Sequence, residues 1–255
     1  MQVQPTTSKK AELTEIFSSI QGEGLLTGAR QVFIRFHGCN LCCEYCDTKS
    51  DQVPENCLIE STPGRKDFTI FPNPVALDLV LSHLDRLCQG WPKVHHSISL
   101  TGGEPLLSID ILKEWLPHLA GRLPLYLETN GVMHAALESI IQWISHISMD
   151  IKLPSTSGHA GLWDDHARFL DVGSRTNIYV KLVVADSTEE WEIFKACDLI
   201  RRVSENIPLI LQPVTRFDNS MGIGQKRLFE FQEISSGLLE NVRVIPQTHK
   251  FMGLL

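Results

Sequence analysis

From residue 31 onward the chain alternates short apolar, β-rich runs with stretches whose apolar residues recur every three or four positions. The strand candidates are 31–38, 97–100, 124–128, 147–153, 177–184, 209–214 and 242–247. Helical spacing fills 74–87, 109–119, 135–144, 188–203 and 225–239. A period of two followed by one of 3.6 marks strand–helix units. Strands that alternate with helices pair in parallel through right-handed crossovers. The units are too few for eight strands, so the pattern predicts an α/β fold: a partial (incomplete) β/α barrel of about six parallel strands rather than a flat doubly wound sheet. One domain over 1–255 is expected, with 49–75, rich in Pro, Ser, Asp and Lys, as an irregular insertion.

In such a fold, chemistry collects on loops at the carboxyl ends of strands. The unusual residues of this chain sit there. Four cysteines in "CNLCCEYC" (39–46) follow the first strand, "TGGEP" (101–105) the second and "ETNG" (128–131) the third, and "DIK" (150–152) ends the fourth. The topology therefore gathers distant segments around one mouth.

Composition narrows the chemistry. The chain has 255 residues, a formal net charge of −7 and no apolar run near the roughly 20 residues that span a bilayer. The N-terminus "MQVQPTTSKK" lacks a signal-peptide apolar block, so a cytoplasmic protein without a membrane partner is expected. An acidic balance with no basic run argues against nucleic-acid binding and leaves room for a small anionic ligand. Seven cysteines, four of them crowded, do not resemble a secreted disulfide framework, and in a reducing compartment such a cluster binds metal.

Which metal depends on how the cysteines divide. Taken as pairs, Cys39/Cys42 and Cys43/Cys46 would have to aim four sulfurs at one zinc from a single short loop, whereas zinc sites usually separate their pairs widely. Adjacent Cys42 and Cys43 point different ways, so Cys42 is expected to pack nearby. The remaining Cys39-x3-Cys43-x2-Cys46 supplies three thiolates, which suits a four-iron cluster with one iron left for an external ligand. Cys57, Cys88 and Cys197 read as structural or incidental.

The C-x3-C-x2-C spacing resembles the signature of radical S-adenosylmethionine (SAM) enzymes, whose open iron is chelated by that cosubstrate, and "TGGEP" one β-α unit later matches their glycine motif. More narrowly, "FSSIQGEG" (17–24), "G-x-x-x-VFIRFHGCNLxCxYCDT" (28–48), "TGGEP", "LETNG" and "QTHK" (247–250) resemble the 7-carboxy-7-deazaguanine synthases, over residues 15 to 250. The insertion after Cys46 departs from shorter members, as does Cys42, where others often carry tryptophan.

The resemblance implies a [4Fe-4S] cluster on Cys39, Cys43 and Cys46, with SAM held by Tyr45, Cys46, Asp47, Gly102, Gly103, Glu104, Glu128, Asn130, Asp150 and Lys152. Within that set the glycines let backbone approach a ligand, and Glu104 accepts from an ammonium. Glu128 and Asn130 suit ribose hydroxyls. It implies Mg2+ on Thr48. The substrate would be 6-carboxy-5,6,7,8-tetrahydropterin, bound by Ile20, Gln21, Gly22, Arg35 and Thr101, with the Arg35 guanidinium gripping its carboxylate. A 5′-deoxyadenosyl radical would take hydrogen from C6, and ring contraction with loss of ammonia would give 7-carboxy-7-deazaguanine. A flavodoxin or ferredoxin would supply electrons, and a homodimer is implied. No side chain is assigned as acid or base. His249 either lines the pocket or packs. Two rivals stand beside this reading: an activase that installs a glycyl radical on a partner protein, and a non-enzymatic zinc or iron–sulfur module with four cysteine ligands.

Overall fold

The computed structural model describes residues 9–46, 48, 52–91, 93–216 and 218–255. Asp47 and the opening residues of the expected insertion, 49–51, lie outside the described residues. The strands are β1 Lys10–Ala11, β2 Leu13–Ile20, β3 Arg30–Phe36, β4 Asn56–Glu60, β5 Phe68–Pro72, β6 Val75–Ala76, β7 Ser97–Gly102, β8 Leu125–Thr129, β9 His146–Ile151, β10 Asn177–Val184, β11 Leu209–Pro213 and β12 Val242–Val244. The helices are α1 Leu77–Cys88, α2 Ile109–Ala120, α3 His134–Glu138, α4 Pro154–Ser157, α5 Trp163–Gly173, α6 Glu190–Val203, α7 Gln225–Ser236 and α8 Thr248–Met252.

Every run expected as a strand forms one, and β3, β7, β8, β9, β10, β11 and β12 pair in parallel in chain order. This is the strand order of a β/α barrel left open, with β12 and β5 at the free edges of a ten-stranded sheet. Three further strands of this sheet precede or interrupt the expected series. β2 pairs antiparallel with β3, and β4–β5 form a hairpin that extends the sheet beyond β2. The stretch 49–75 is thus not wholly irregular. Its inward positions Cys57 and Ile59 are fully buried and join the main core, a period of two too short to stand out among the prolines and charges around it.

The parallel strands place apolar and polar side chains on opposite faces. Val32, Ile34 and Phe36 of β3 and Ile98 and Leu100 of β7 enter the helix-covered core, as do their equivalents on β8 to β11. The intervening positions carry Gln31, Arg35, Ser99, Thr101, Glu128, Asp150 and Lys181. One face is oil and the other is a polar floor, and the chemistry-bearing loops rise from its carboxyl end.

Candidate active site

The cysteine loop leaves β3 and is held by the loops that follow β7 and β8. The Gly103 and Glu104 amides donate to the carbonyls of Phe36 (3.3 Å) and Gly38 (2.8 Å). Asn130 Nδ2 donates to Asn40 Oδ1 at 2.8 Å and lies 3.9 Å from Cys39 Sγ. The glycines of "TGGEP" therefore have an unexpected reason. Gly102 has φ +131, and a Cβ there would strike the Phe36 carbonyl oxygen; one on Gly103 would strike that of Gly38. The backbone brought close is the cysteine loop's own.

Cys43 is 7% exposed, Cys46 is half-buried, and Cys39 and Cys42 are exposed. Cys42 thus turns outward instead of packing beside the others. Among the described residues no three His, Cys, Asp or Glu side chains close on one point; the cysteines share a loop without converging. Burial pushes the Cys43 thiol up to about 11, and Cys39 upward too. A bound cation reverses that, because coordination deprotonates a thiol outright. Thr48 is exposed, with its hydroxyl 3.6 Å from Cys46 Sγ.

Glu104 does not face the mouth. It is fully buried, and its oxygens take the amides of Asn130 (2.8 Å) and Leu106 (3.1 Å) and the Thr129 hydroxyl. It ties the β7 loop to the end of β8. Burial raises its carboxyl from an ordinary 4.5 to about 7, although the amides and Lys152 pull the other way. A folded-state pKa above the unfolded one means the native state holds the extra proton, so this group's contribution to stability falls as pH rises from about 4.5 to about 7 and is flat above. Glu104→Gln should remove that slope in urea titrations run from pH 5 to pH 8; an unchanged slope would show that Glu104 does not titrate there.

Glu128 is likewise engaged by protein groups. It accepts from Gln21 Nε2 (2.7 Å), Thr101 Oγ1 (2.7 Å) and Ser99 Oγ (3.3 Å), so it joins two of the residues expected to bind substrate. Gln21 also reaches Gln31 at 2.9 Å. Ile20 ends β2, and Gly22 abuts the C-terminal segment: its carbonyl accepts the Thr248 amide at 2.9 Å, and a Cβ on it would strike His249. His249 therefore packs on the loop that follows β2. Arg35 shares a cross-strand position with Thr101, but its Nε pairs with Glu15 at 2.7 Å and its guanidinium lies 5.7 Å from the Phe17 ring centroid.

A line of buried charge crosses the floor. Lys152 Nζ donates to Tyr45 OH (2.9 Å) and Asp150 Oδ2 (2.8 Å). Lys181 Nζ lies 3.6 Å from that same oxygen and pairs with Glu23 at 2.5 Å. Glu23 takes a further bond from Gln247 at 2.7 Å. The line links the cysteine loop to the C-terminal segment. Burial would lower the Lys181 pKa, yet Glu23 and Asp150 hold it well above its ordinary value. Asp150 Oδ1 and Gln212 Oε1 are buried acceptors with no partner among the described residues, and these orphaned oxygens suit the hydroxyl and ammonium donors of a nucleoside amino acid. Sequence reasoning overlooked Glu23, Lys181 and Gln212. For Lys181 and Gln212 the signal was a polar residue inside an apolar strand run, as in "YVKLV" and "LILQP", where it marks the floor.

The chain is similar to known proteins. Residues 33–176 match the model of the radical SAM superfamily. The 7-carboxy-7-deazaguanine synthase of Geobacter sulfurreducens is 56% identical over 96% of this chain and 98% of its own length. That of Methanothermobacter thermautotrophicus is 33% identical, with the same coverage of both chains. The crystal structure of QueE from Escherichia coli superposes with a TM-score of 0.56 over 92% of this chain and 93% of that one, at 18% identity, a likeness of fold. The chain belongs to the radical SAM superfamily and, within it, to the 7-carboxy-7-deazaguanine synthases.

Proposed function

We propose that this chain converts 6-carboxy-5,6,7,8-tetrahydropterin to 7-carboxy-7-deazaguanine, with ring contraction and loss of ammonia. The observation that carries the proposal is 56% identity to a synthase of that name along nearly the whole chain. Cys39, Cys43 and Cys46 hold a [4Fe-4S] cluster, and the orphaned Asp150 and Gln212 oxygens give SAM its polar seat. Bound there, cluster and cosubstrate supply the electron transfer and the carbon radical that no side chain can provide.

The chain's own residues bind, orient and exclude water. Gln21, Glu128 and Thr101, already joined by hydrogen bonds, form a rigid donor–acceptor edge for the pterin's amide-rich ring. Arg35 engages the substrate carboxylate with the guanidinium nitrogens that Glu15 does not take. Lys152 presents Tyr45, its ammonium 5.2 Å from the ring centroid, and fixes Asp150. Thr48 would offer one hard oxygen to a magnesium ion, which would orient the substrate carboxylate. A small redox protein such as flavodoxin or ferredoxin supplies the electron, and the enzyme works as a homodimer. No helix among the described residues is long and apolar enough to cross a membrane.

The deciding experiment is anaerobic reconstitution followed by incubation with reductant, SAM and the pterin. Deazapurine formation is expected; SAM cleavage without it would favour the activase. Cys39→Ala, Cys43→Ala and Cys46→Ala should each lose the iron and its visible absorption band, while Cys42→Ala keeps both. Loss of iron in Cys42→Ala would instead favour a four-cysteine module.

A further inference from the structure

Cys43 is the buried member of the three cysteines, and the amides on either side of it are tied to one distant segment. The Cys42 N–H donates to His159 Nε2 at 3.0 Å, and the Glu44 N–H to the Ser157 carbonyl at 3.3 Å. Both acceptors lie in the turn that ends α4. That turn is itself fixed: the Ser157 hydroxyl donates to the Leu153 carbonyl at 2.7 Å, and Ser157 Oγ accepts the His159 amide at 3.2 Å. Gly158, at φ +76, reverses the chain there, where a side chain would be strained. Ser157 is fully buried, so His159 projects from an anchored base.

We propose that His159 is a positioning residue for the iron–sulfur cluster: by accepting the Cys42 amide it fixes the backbone of residues 42–44 and thereby the direction of the Cys43 thiolate. The proposal rests on Cys39, Cys43 and Cys46 being the cluster's ligands. Since Nε2 accepts, the ring's proton sits on Nδ1. The bond has a second effect, because it occupies the Cys42 N–H, and hydrogen bonds to cluster sulfurs are a main control of cluster potential. Removing the acceptor both loosens the loop and frees a donor. A histidine that merely filled space would do neither.

Size-matched variants separate the two cases. Gln keeps an acceptor oxygen at about the reach of Nε2, whereas Met fills similar volume without one. Wild type, His159→Gln and His159→Met are reconstituted anaerobically, checked for folding by circular dichroism, and assayed for iron loss to a chelator and for cluster potential. His159→Met should release iron about 10-fold faster than wild type, the lower end of the cost of losing a partner that orients a ligand. Its cluster should also be reduced at a more positive potential. His159→Gln should stay close to wild type in both. If Met matches wild type, or Gln behaves like Met, the proposal is overturned. If wild type itself takes up no cluster, the functional reading fails first, and iron content alone reveals which has happened.

Discussion

Gly103→Ala is expected to lower deazapurine formation by about 100-fold, the usual cost of moving reacting groups by about an ångström. The cause is steric and cannot be relaxed by rotating a side chain. A Cβ on Gly103 would meet the carbonyl oxygen of Gly38, its carbon at 2.5 Å and Cys39 Cβ at 3.1 Å. All three belong to the start of the cysteine loop, so the methyl group displaces the loop at its first cysteine. The same contact sets the spacing of the Glu104 amide to the Gly38 carbonyl, now 2.8 Å. The overpacked interface should also cost about 1–3 kcal/mol in urea unfolding. Gly121→Ala is the control: it ends α2 with φ −68, and its Cβ would find nothing nearer than 3.6 Å. That change should alter activity and stability very little. Equal effects from the two substitutions, or a Gly103→Ala enzyme that binds iron and turns over normally, would mean the loops are not packed as described.

The frame of this site was legible because strands and loops carry separate signals. Alternation of apolar runs with helical spacing located the parallel strands, and turn-forming or chemistry-bearing residues then fell at their carboxyl ends. What escaped was coded in side-chain facing. β2, "LTEIFSSI", mixes polar and apolar residues because one of its faces looks toward the floor and a register shift falls between Leu13 and Glu15. α5 hides for a similar reason: its buried positions include His166 beside Phe169 and Leu170. The histidine's Nε2 accepts the Lys152 amide at 3.1 Å and its Nδ1 lies 3.0 Å from the Gly131 carbonyl, so it counts as polar in any pattern while serving as core. Motifs likewise name residues without saying what they touch. "TGGEP" and "LETNG" were found as two ligand loops, yet Glu104 binds the second loop, Glu128 turns to the floor, and the glycines face protein backbone. Pairings such as Lys181 with Glu23 join residues 158 positions apart, and no local pattern carries them.

That pairing carries the second large effect: Lys181→Met should destabilise the protein by about 3 kcal/mol, the low end for removing one partner of a buried ion pair. The Lys181, Glu23 and Asp150 side chains are 13%, 21% and 11% exposed, so little water reaches them to replace the ammonium. Asp150 keeps Lys152 at 2.8 Å, but Glu23 keeps only the neutral amide of Gln247 and the more distant His249. Burial alone would raise the Glu23 pKa; Lys181, with help from Gln247, holds it from an ordinary 4.5 down to about 2. In wild type the ionised carboxylate therefore contributes stability that is fully present above about 4.5 and lost as pH falls toward about 2. Without the lysine, burial dominates, the carboxyl titrates above its unfolded value, and its contribution declines as pH rises. The gap between wild type and Lys181→Met, measured by urea unfolding, should therefore widen from pH 4 to pH 7. Adding Glu23→Gln to Lys181→Met removes the stranded charge and should recover about 2 kcal/mol at pH 7, because residues in one network are not additive. A gap that stays constant with pH, together with a double variant no more stable than the single, would place the stabilisation in packing by the lysine's methylenes and not in its charge.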